Sequence, residues 1–208
     1  MVDATVTVTG VLLALEGVDG SGKTTQADLL AQALRAQGRE VVLTREPTSG
    51  PAGIRLRGYL KGTSRHLSPA DELALFIADR REHVARVIRP ALAAGRIVVT
   101  DRYYHSSVAY QGALGLDPAS ILAANEAFAP RPKAVFILTL SPESALARLS
   151  QSPGRLRQVS EGLDYLKQVA AIYASLTGAY LHRVDAERPP EDVHADLLAI
   201  TLKALAAR

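Results

Sequence analysis

Residues 11–30 constrain the fold more than any other part of the chain. This segment begins with a short apolar run typical of a buried strand and ends in a pattern typical of a helix. Between the two lies GVDGSGKT (17–24), which matches G-x-x-x-x-G-K-[ST] at every position. A strand that turns through glycines into a helix predicts a phosphate-binding loop, or P-loop, at the carboxyl edge of a sheet.

The residue types of this loop suit a bound phosphate. Glycines allow positive φ and close backbone approach, so successive N–H groups and the helix N-terminus point at one anion. Lys23 brings a positive charge to the β and γ oxygens, and Thr24 offers a hydroxyl to Mg²⁺. The loop therefore predicts a nucleoside triphosphate with magnesium. The alternative is a glycine-rich turn with an exposed lysine.

A second element of a phosphate site is RIVVTDRYY (96–104), in which β-strand-type residues lead to Asp101. An acid at the carboxyl end of a strand can hold the hydration shell of Mg²⁺, as the Walker-B aspartate does. A local ion pair between Asp101 and Arg102 remains the alternative.

The rest of the chain alternates strand and helix patterns, which predicts crossover units and a parallel sheet. The strands are expected at 11–15, 41–44, 97–100, 134–140 and 181–184. The helices are expected at 23–37, 69–94, 142–149, 162–177 and 190–207. We predict one α/β domain over residues 1–208, with a five-stranded parallel sheet in three layers and helices on both faces.

Two segments lack periodicity, residues 45–53 and 150–160, and both are candidate substrate loops or lids. The second, about 150–160, is our predicted lid. Ordinary surface loops are the alternative for each. Residues 1–9 alternate valine and threonine and suit either an extension of the first strand or a frayed tail.

The composition limits which cellular compartments and which kinds of binding partner are expected. The chain has no cysteine, which is compatible with a reducing cytoplasm, and it has no apolar run near the roughly 18 residues that span a bilayer. We expect a soluble, untargeted, cytoplasmic protein. The net charge is +3, and the arginines are scattered. Scattered arginines favour a small polyanionic ligand over a nucleic acid.

No N-K-x-D guanine-reading element is present, and the length leaves no room for the second domain of an ATP-driven machine. A small kinase remains. Several motifs then occur in the order and spacing of bacterial thymidylate kinases: EGVDGSGKTTQ (16–26), TREP (44–47), Arg57, LFIADR (75–80), VVTDRYYHSSVAYQG (98–112) and RVDA (183–186). From about Val11 onward the chain resembles this family, which implies transfer of the γ-phosphoryl group of ATP to dTMP. It also implies a P-loop kinase fold with a short lid, and a homodimer.

The resemblance assigns roles residue by residue. It places ATP at Gly17, Val18, Asp19, Gly20, Ser21, Gly22, Lys23, Thr24, Thr25 and Arg148. It places dTMP at Asp19, Arg45, Glu46, Pro47, Arg57, Phe76, Arg80, Arg102, Ser107, Tyr110 and Gln111. Magnesium is implied at Thr24 and Asp101. Catalytic roles are implied for Asp19, Lys23, Arg102 and Arg157.

Physical arguments support the acceptor assignments. Phe76 and Arg80 are four residues apart on a predicted helix, and an aromatic plane beside a guanidinium suits a base; in the family they stack on thymine and reach its O4. Convergent guanidinium groups offset the repulsion between two anionic nucleotides. The family places Ser107 at the N3 edge of the base, and Tyr110 where it crowds C2′. Asp19 is expected at the 3′-hydroxyl or beside an arginine, with a turn aspartate as the alternative.

The predicted lid departs from the family pattern. An ungapped alignment puts Arg148 and Arg157 on family arginines, but Leu156 and Val159 replace the flanking acids. Gly20 stands where some relatives have a basic residue, which resembles the bacterial type that takes its transition-state arginine from the lid. We expect Arg157 at the transferring phosphoryl group and Arg148 beside adenine. The five histidines lack metal-ligand spacing and receive no role.

Two other functions stay open from sequence. One is a kinase of another deoxynucleotide or of a nucleoside, although a nucleoside acceptor would want a carboxylate base near its 5′-hydroxyl. The other is a nucleotide-binding regulatory module that has lost turnover, as the altered lid suggests. The intact Lys23, Asp101 and Arg102 weigh against the module.

Overall fold

A computed structural model describes residues 10–62, 66–151 and 162–206. It contains one five-stranded parallel sheet with the order β2-β3-β1-β4-β5. The strands are β1 (Val11–Gly17), β2 (Val41–Arg45), β3 (Ile97–Asp101), β4 (Ala134–Thr139) and β5 (Leu181–Asp185). The predicted parallel sheet is therefore confirmed.

Helices cover both faces of the sheet, as the continuous burial of the central strands β1, β3 and β4 requires. In β1, Leu13 and Leu15 pack against α1 and α9, whereas Leu12 and Ala14 face the core on the other side, shared with α5 and α8. The helices are α1 (Lys23–Ala36), α2 (Pro51–Leu60), α3 (Pro69–His83), α4 (Arg89–Ala93), α5 (Tyr104–Gly112), α6 (Pro118–Glu126), α7 (Pro142–Ser150), α8 (Leu163–Ser175) and α9 (Pro190–Ala206). The predicted three-layer fold is confirmed.

The sheet order positions the functional edge. Strand β1 is central, with β3 on one side and β4 on the other. The register places Asp101 beside Leu15 of β1 and beside Arg45 of β2. The P-loop, the Asp101–Arg102 corner and the end of β2 therefore emerge side by side at one edge.

The predicted helix 69–94 is helical from Pro69 to Ala93, but it is not α-helical throughout. It divides into α3, a π-helical turn (Val84–Ile88) and α4. Pro90 has no N–H with which to bond the carbonyl of Arg86 four residues earlier, so the helix widens at this point.

Three helices were absent from the sequence prediction. Helix α5 is buried from Tyr104 to Gln111, so it shows no polar face and no helical periodicity. Helix α2 begins inside the predicted loop 45–53, with Pro51 at its first position. Helix α6 begins at Asp117-Pro118, where the aspartate caps the N–H groups of Ala119 and Ser120. That capping signal was readable from the sequence.

Several residues at helix ends were predicted correctly. The hydroxyls of Ser68 and Ser141 accept backbone N–H bonds as helix N-caps, and Gly38 and Gly95 adopt positive φ after α1 and α4. Residues 1–9, Arg157 and all of the predicted lid except Ser150 and Gln151 lie outside the described residues. Within the described part of the chain, no helix combines the length and the apolar character needed to cross a membrane.

Candidate active site

A cavity of about 910 Å³ opens at the carboxyl edge of the sheet, between the P-loop, α2, α3 and α5. Many of the predicted site residues line this cavity: Asp19, Thr24, Arg45, Glu46, Pro47, Arg57, Phe76, Asp101, Arg102, Tyr110 and Gln111. They come from five separate segments of the chain. The fold thus brings Asp19 and Thr24 together with most of the predicted acceptor residues. Lys23, Arg80 and Ser107 are outside this lining.

The P-loop has the backbone that its sequence predicts. Gly17, Gly20 and Gly22 have φ values of 138°, 85° and 90°, which only glycine adopts without strain. A Cβ on Gly20 would also lie 2.7 Å from the carbonyl oxygen of Ala145 in α7. Any side chain at position 20 would therefore strain the loop.

Lys23, the predicted phosphate-binding lysine, is buried against the P-loop. Its Nζ donates to the carbonyl oxygens of Gly17 and Val18 at 3.0 and 2.7 Å. Burial, and then the nearby charge of Arg102, lower the pKa of Lys23 to about 8. A phosphate placed against Nζ would stabilise the charged form, since opposite charges favour ionisation.

Thr24 and Asp101 form an oxygen-rich corner next to the P-loop. The Thr24 hydroxyl donates to Asp101 Oδ2 at 2.5 Å, while the buried Oδ1 has no hydrogen-bond partner within the described ranges. Residues 10–62, 66–151 and 162–206 contain no cluster of three metal-ligating side chains. Mg²⁺ commonly takes one or two protein oxygens and completes its shell with phosphate and water. The corner therefore fits a magnesium ion that arrives with a nucleotide.

Arg102 adopts a backbone conformation that is rare for its residue type. Its φ is 73°, the only positive φ of a non-glycine residue in the described part of the chain. The Arg102 N–H donates to the carbonyl of Leu15 at 2.9 Å, and the Thr100 hydroxyl donates to the Arg102 carbonyl at 2.8 Å. These bonds hold the strained turn, and strain of this kind clusters at functional sites.

The Arg102 guanidinium is held on three sides. It pairs with Asp19, lies 5.1 Å from the ring centroid of Tyr110, and donates from Nη1 to Ser106 Oγ at 3.1 Å. Burial alone would lower the pKa of Arg102, but Asp19, together with Tyr110, Tyr173 and Asp101, reverses that effect and holds the pKa above its usual value. Arg102 thus pairs with Asp19 of the P-loop, and Asp101 bonds Thr24. Each of the two side chains therefore has a partner other than the one in the predicted alternative, a local Asp101–Arg102 pair.

Arg80 lies behind the cavity wall and does not line it. It is 1% exposed, and its Nε and Nη2 donate to Glu46 Oε2 at 2.9 and 2.6 Å. Its Nη1 donates to Ser107 and Asn125 at 3.1 and 2.8 Å. Burial would raise the pKa of Glu46, but Arg80 and His83 reverse that effect and lower it. Phe76 lines the cavity in front of this polar cluster, so the predicted Phe76–Arg80 pair is split between surface and interior.

The other two predicted acceptor arginines approach from different elements. Arg57, on the unpredicted helix α2, donates from Nη1 to the carbonyls of Pro47 and Thr48. Arg45 ends β2 and pairs in register with Asp101. Together with Arg102, they place three guanidinium groups around one cavity.

The predicted adenine residue Arg148 lies elsewhere. Its Nη2 donates to the carbonyl of Ala186 at 2.9 Å, which joins α7 to the segment after β5. Arg148 is thus part of α7 and contacts the RVDA segment, outside the lining of the cavity.

Sequence reasoning missed several buried polar groups around the cavity. Glu72 accepts from Gln111 Nε2 at 2.9 Å and from the Tyr59 hydroxyl at 2.6 Å, which fixes the Gln111 amide at the wall. Glu16 bonds Ser106 at the far side of Arg102. The signal was available for Glu16, because an acid in an otherwise apolar strand is rarely buried without partners.

The family model described as "Thymidylate kinase" matches residues 15–197, which is most of the chain. The chain belongs to the thymidylate kinase family. A protein named thymidylate kinase from Xanthomonas campestris pv. campestris (strain B100) is 45% identical over 199 residues, covering 96% of this chain and 86% of the relative. One from Desulfotalea psychrophila (strain LSv54 / DSM 12343) is 40% identical over 189 residues, covering 91% and 93%. The family match spans the P-loop, the Asp101–Arg102 corner and α8.

Proposed function

We propose that this protein transfers the γ-phosphoryl group of ATP to dTMP, giving ADP and dTDP, and that it does so with Mg²⁺. One observation carries the proposal: Arg45, Arg57 and Arg102 converge on a cavity that is also lined by Asp19 and Thr24 of the P-loop segment and by the aromatic ring of Phe76. Such a cavity suits an acceptor that joins a base to a phosphate. Its cations offset the repulsion between that phosphate and the triphosphate.

The chemistry needs little from the protein beyond position and charge. An oxygen of the acceptor phosphate attacks the γ-phosphorus, and the bond to the β–γ bridging oxygen breaks as ADP leaves. This nucleophile is already anionic near pH 7, so no side-chain base is required. The P-loop N–H groups and Lys23 hold the donor phosphates, and Arg102 orients the acceptor. Thr24 and Asp101 would hold a Mg²⁺ ion, which would supply positive charge to the phosphates.

Arg157, outside the described residues, is proposed from the family resemblance as the arginine at the transferring group. Arg157→Ala should leave binding of both nucleotides nearly intact while kcat falls by about 10³-fold or more. A kcat within about threefold of wild type would remove Arg157 from the mechanism.

A coupled ADP-release assay tests the function. ATP is supplied with dTMP, dUMP, dCMP, dAMP, dGMP or thymidine in turn, and Lys23→Ala serves as the inactive control. We expect the fastest turnover with dTMP. Fastest turnover with thymidine would indicate a nucleoside kinase, and no turnover with any acceptor would indicate a regulatory module.

We also infer a cytoplasmic homodimer from the family resemblance. Analytical ultracentrifugation across micromolar concentrations tests the assembly, and a single species at the monomer mass of 22.2 kDa would contradict the homodimer.

A further inference from the structure

A buried carboxylate stands directly behind the acceptor arginine. Glu16, near the carboxyl end of β1, is 0% exposed. Its Oε1 accepts the backbone N–H groups of Tyr103 and Ser106 at 2.8 and 3.2 Å. Its Oε2 accepts the hydroxyls of Ser106 and Tyr173 at 2.5 and 3.0 Å. Both oxygens are thus engaged by protein donors, which leaves Glu16 with a role other than ligand contact.

The donors on Glu16 surround Arg102 on the chain and in space. Tyr103 follows Arg102 directly, so its bond to Glu16 holds one end of the turn in which Arg102 has a φ of 73°. Ser106 donates its hydroxyl proton to Glu16, which leaves its oxygen lone pairs facing Arg102 Nη1 at 3.1 Å. Glu16 therefore controls both the backbone and the guanidinium of Arg102.

The residue type matters for this arrangement. Burial raises the pKa of the Glu16 carboxyl, and the hydrogen bond from Ser106 and the charge of Arg102 oppose that effect. In its ionised form the carboxylate only accepts hydrogen bonds, and it can take all four donors at once. A glutamine would turn an NH₂ group toward the Ser106 and Tyr173 hydroxyls. Ser106 would then have to accept from glutamine, and its oxygen would have less capacity for Arg102.

We propose that Glu16 is a positioning residue that fixes Arg102 for acceptor binding through the Tyr103 backbone and the Ser106 hydroxyl. The proposal rests on the proposed function, in which Arg102 binds the acceptor phosphate. A merely structural acid would affect the binding of both nucleotides. A positioning role for Glu16 instead predicts that replacing Glu16 weakens binding of the acceptor nucleotide and leaves binding of the donor nucleotide unchanged.

A double-mutant cycle tests this separation. Kd values for dTMP and for ADP with Mg²⁺ are measured by calorimetry in Glu16→Gln, Arg102→Lys and the double variant. We expect Glu16→Gln to weaken dTMP binding by about 10- to 100-fold, the scale of outer-shell losses, with ADP binding within about twofold. On the Arg102→Lys background, the same change should cost less than about threefold, because interacting residues are not additive.

Asp79→Asn is the matched control. Asp79 is also 1% exposed and accepts the backbone N–H and the hydroxyl of Thr48, a residue of the cavity lining, at 3.0 and 2.5 Å. Whatever Asp79→Asn costs in dTMP affinity, that cost should be the same in the Arg102→Lys background. Additivity of Glu16→Gln with Arg102→Lys, or equal losses for dTMP and ADP, would overturn the proposal.

Ser106→Ala covers the case in which Glu16→Gln fails to fold, since it removes one hydroxyl and should weaken dTMP binding in the same non-additive way. Its crystal structure gives a result that does not depend on dTMP. We expect the guanidinium of Arg102 to leave its place between Asp19 and Tyr110, and a guanidinium within about 0.5 Å of the wild-type position would overturn the proposal. If the wild-type protein shows no binding of dTMP, the proposed function is contradicted instead.

Discussion

Arg80 and Arg102 both lie close to the cavity, but one is buried behind its wall and the other is part of its lining. The Arg80 side chain is 1% exposed, and its Nε, Nη1 and Nη2 all donate to acceptors within the protein. The Arg102 side chain is 18% exposed and lines the cavity. A buried guanidinium with every donor engaged stabilises a wall, whereas a partly exposed one keeps donors for a ligand.

The carboxylates that face the two arginines explain the difference. Glu46 bonds Arg80 through Oε2 and His83 through Oε1, and His83 bonds Thr44 at 2.8 Å, which closes the cluster. Asp19, the partner of Arg102, belongs to the P-loop, and its N–H donates to the Tyr110 hydroxyl at 3.0 Å. Arg102 is therefore paired with a residue of the P-loop, whereas Arg80 is paired with a buried carboxylate.

The largest effect is expected for Arg102→Ala, which removes the cation on the cavity side. We predict a fall in kcat/KM for dTMP of about 10³-fold or more in the coupled assay, the scale set by arginines in phosphoryl transfer. Arg131→Ala, at an exposed pair with Glu126, is the control and should match wild type. A loss below about tenfold for Arg102→Ala would place Arg102 in the same class as Arg80.

Glu46→Gln should act on stability, because it leaves Arg80 charged and unpaired in the interior. We predict that the free energy of unfolding falls by about 3–5 kcal/mol, measured by urea denaturation. Glu40→Gln, at the exposed pair with Arg96, should leave the midpoint unchanged. An unchanged midpoint for Glu46→Gln would mean that the wall does not depend on the ion pair.

His105 is a buried histidine whose protonation is affected by the surroundings of both arginines. Its Nδ1 is 4.0 Å from Glu16 Oε1, and burial, with the charge of Arg80, lowers the pKa of His105 to about 3. The unfolded chain binds a proton near pH 6.5 and the folded chain does not, so stability present above that pH is lost as the pH falls toward 3. His105→Asn should remove about 2 kcal/mol of the loss between pH 7 and pH 5, measured as free energy of unfolding. Equal pH slopes for both proteins would contradict the lowered pKa.

The smallest effect is expected for Tyr110→Phe, which removes the hydroxyl that accepts from Asp19 and keeps the ring beside Arg102. We predict a two- to tenfold fall in kcat/KM for dTMP, about the worth of one hydrogen bond. A loss as large as that of Arg102→Ala would show that the bond between the P-loop and Tyr110 dominates the site. Circular dichroism checks that the variant keeps its fold.

Local patterns account for what the sequence predicted correctly. The P-loop, the end of β3 at Asp101 and the caps at Ser68 and Ser141 each depend on residues within a few positions of one another. Helix α5 was missed because its burial on all sides removes the periodicity that marks a helix. The π-helical turn was missed because the apolar pattern continues through Pro90.

The sequence by itself determined a parallel α/β sheet, a phosphate loop and a set of arginines that suit a nucleotide acceptor. Only the tertiary structure decided which arginine faces the cavity. Glu46 lies 34 residues from Arg80, and Glu16 lies 87 to 157 residues from the groups that donate to it. Pairing over such separations leaves no local signal, since it exists only once the strands have brought distant segments together.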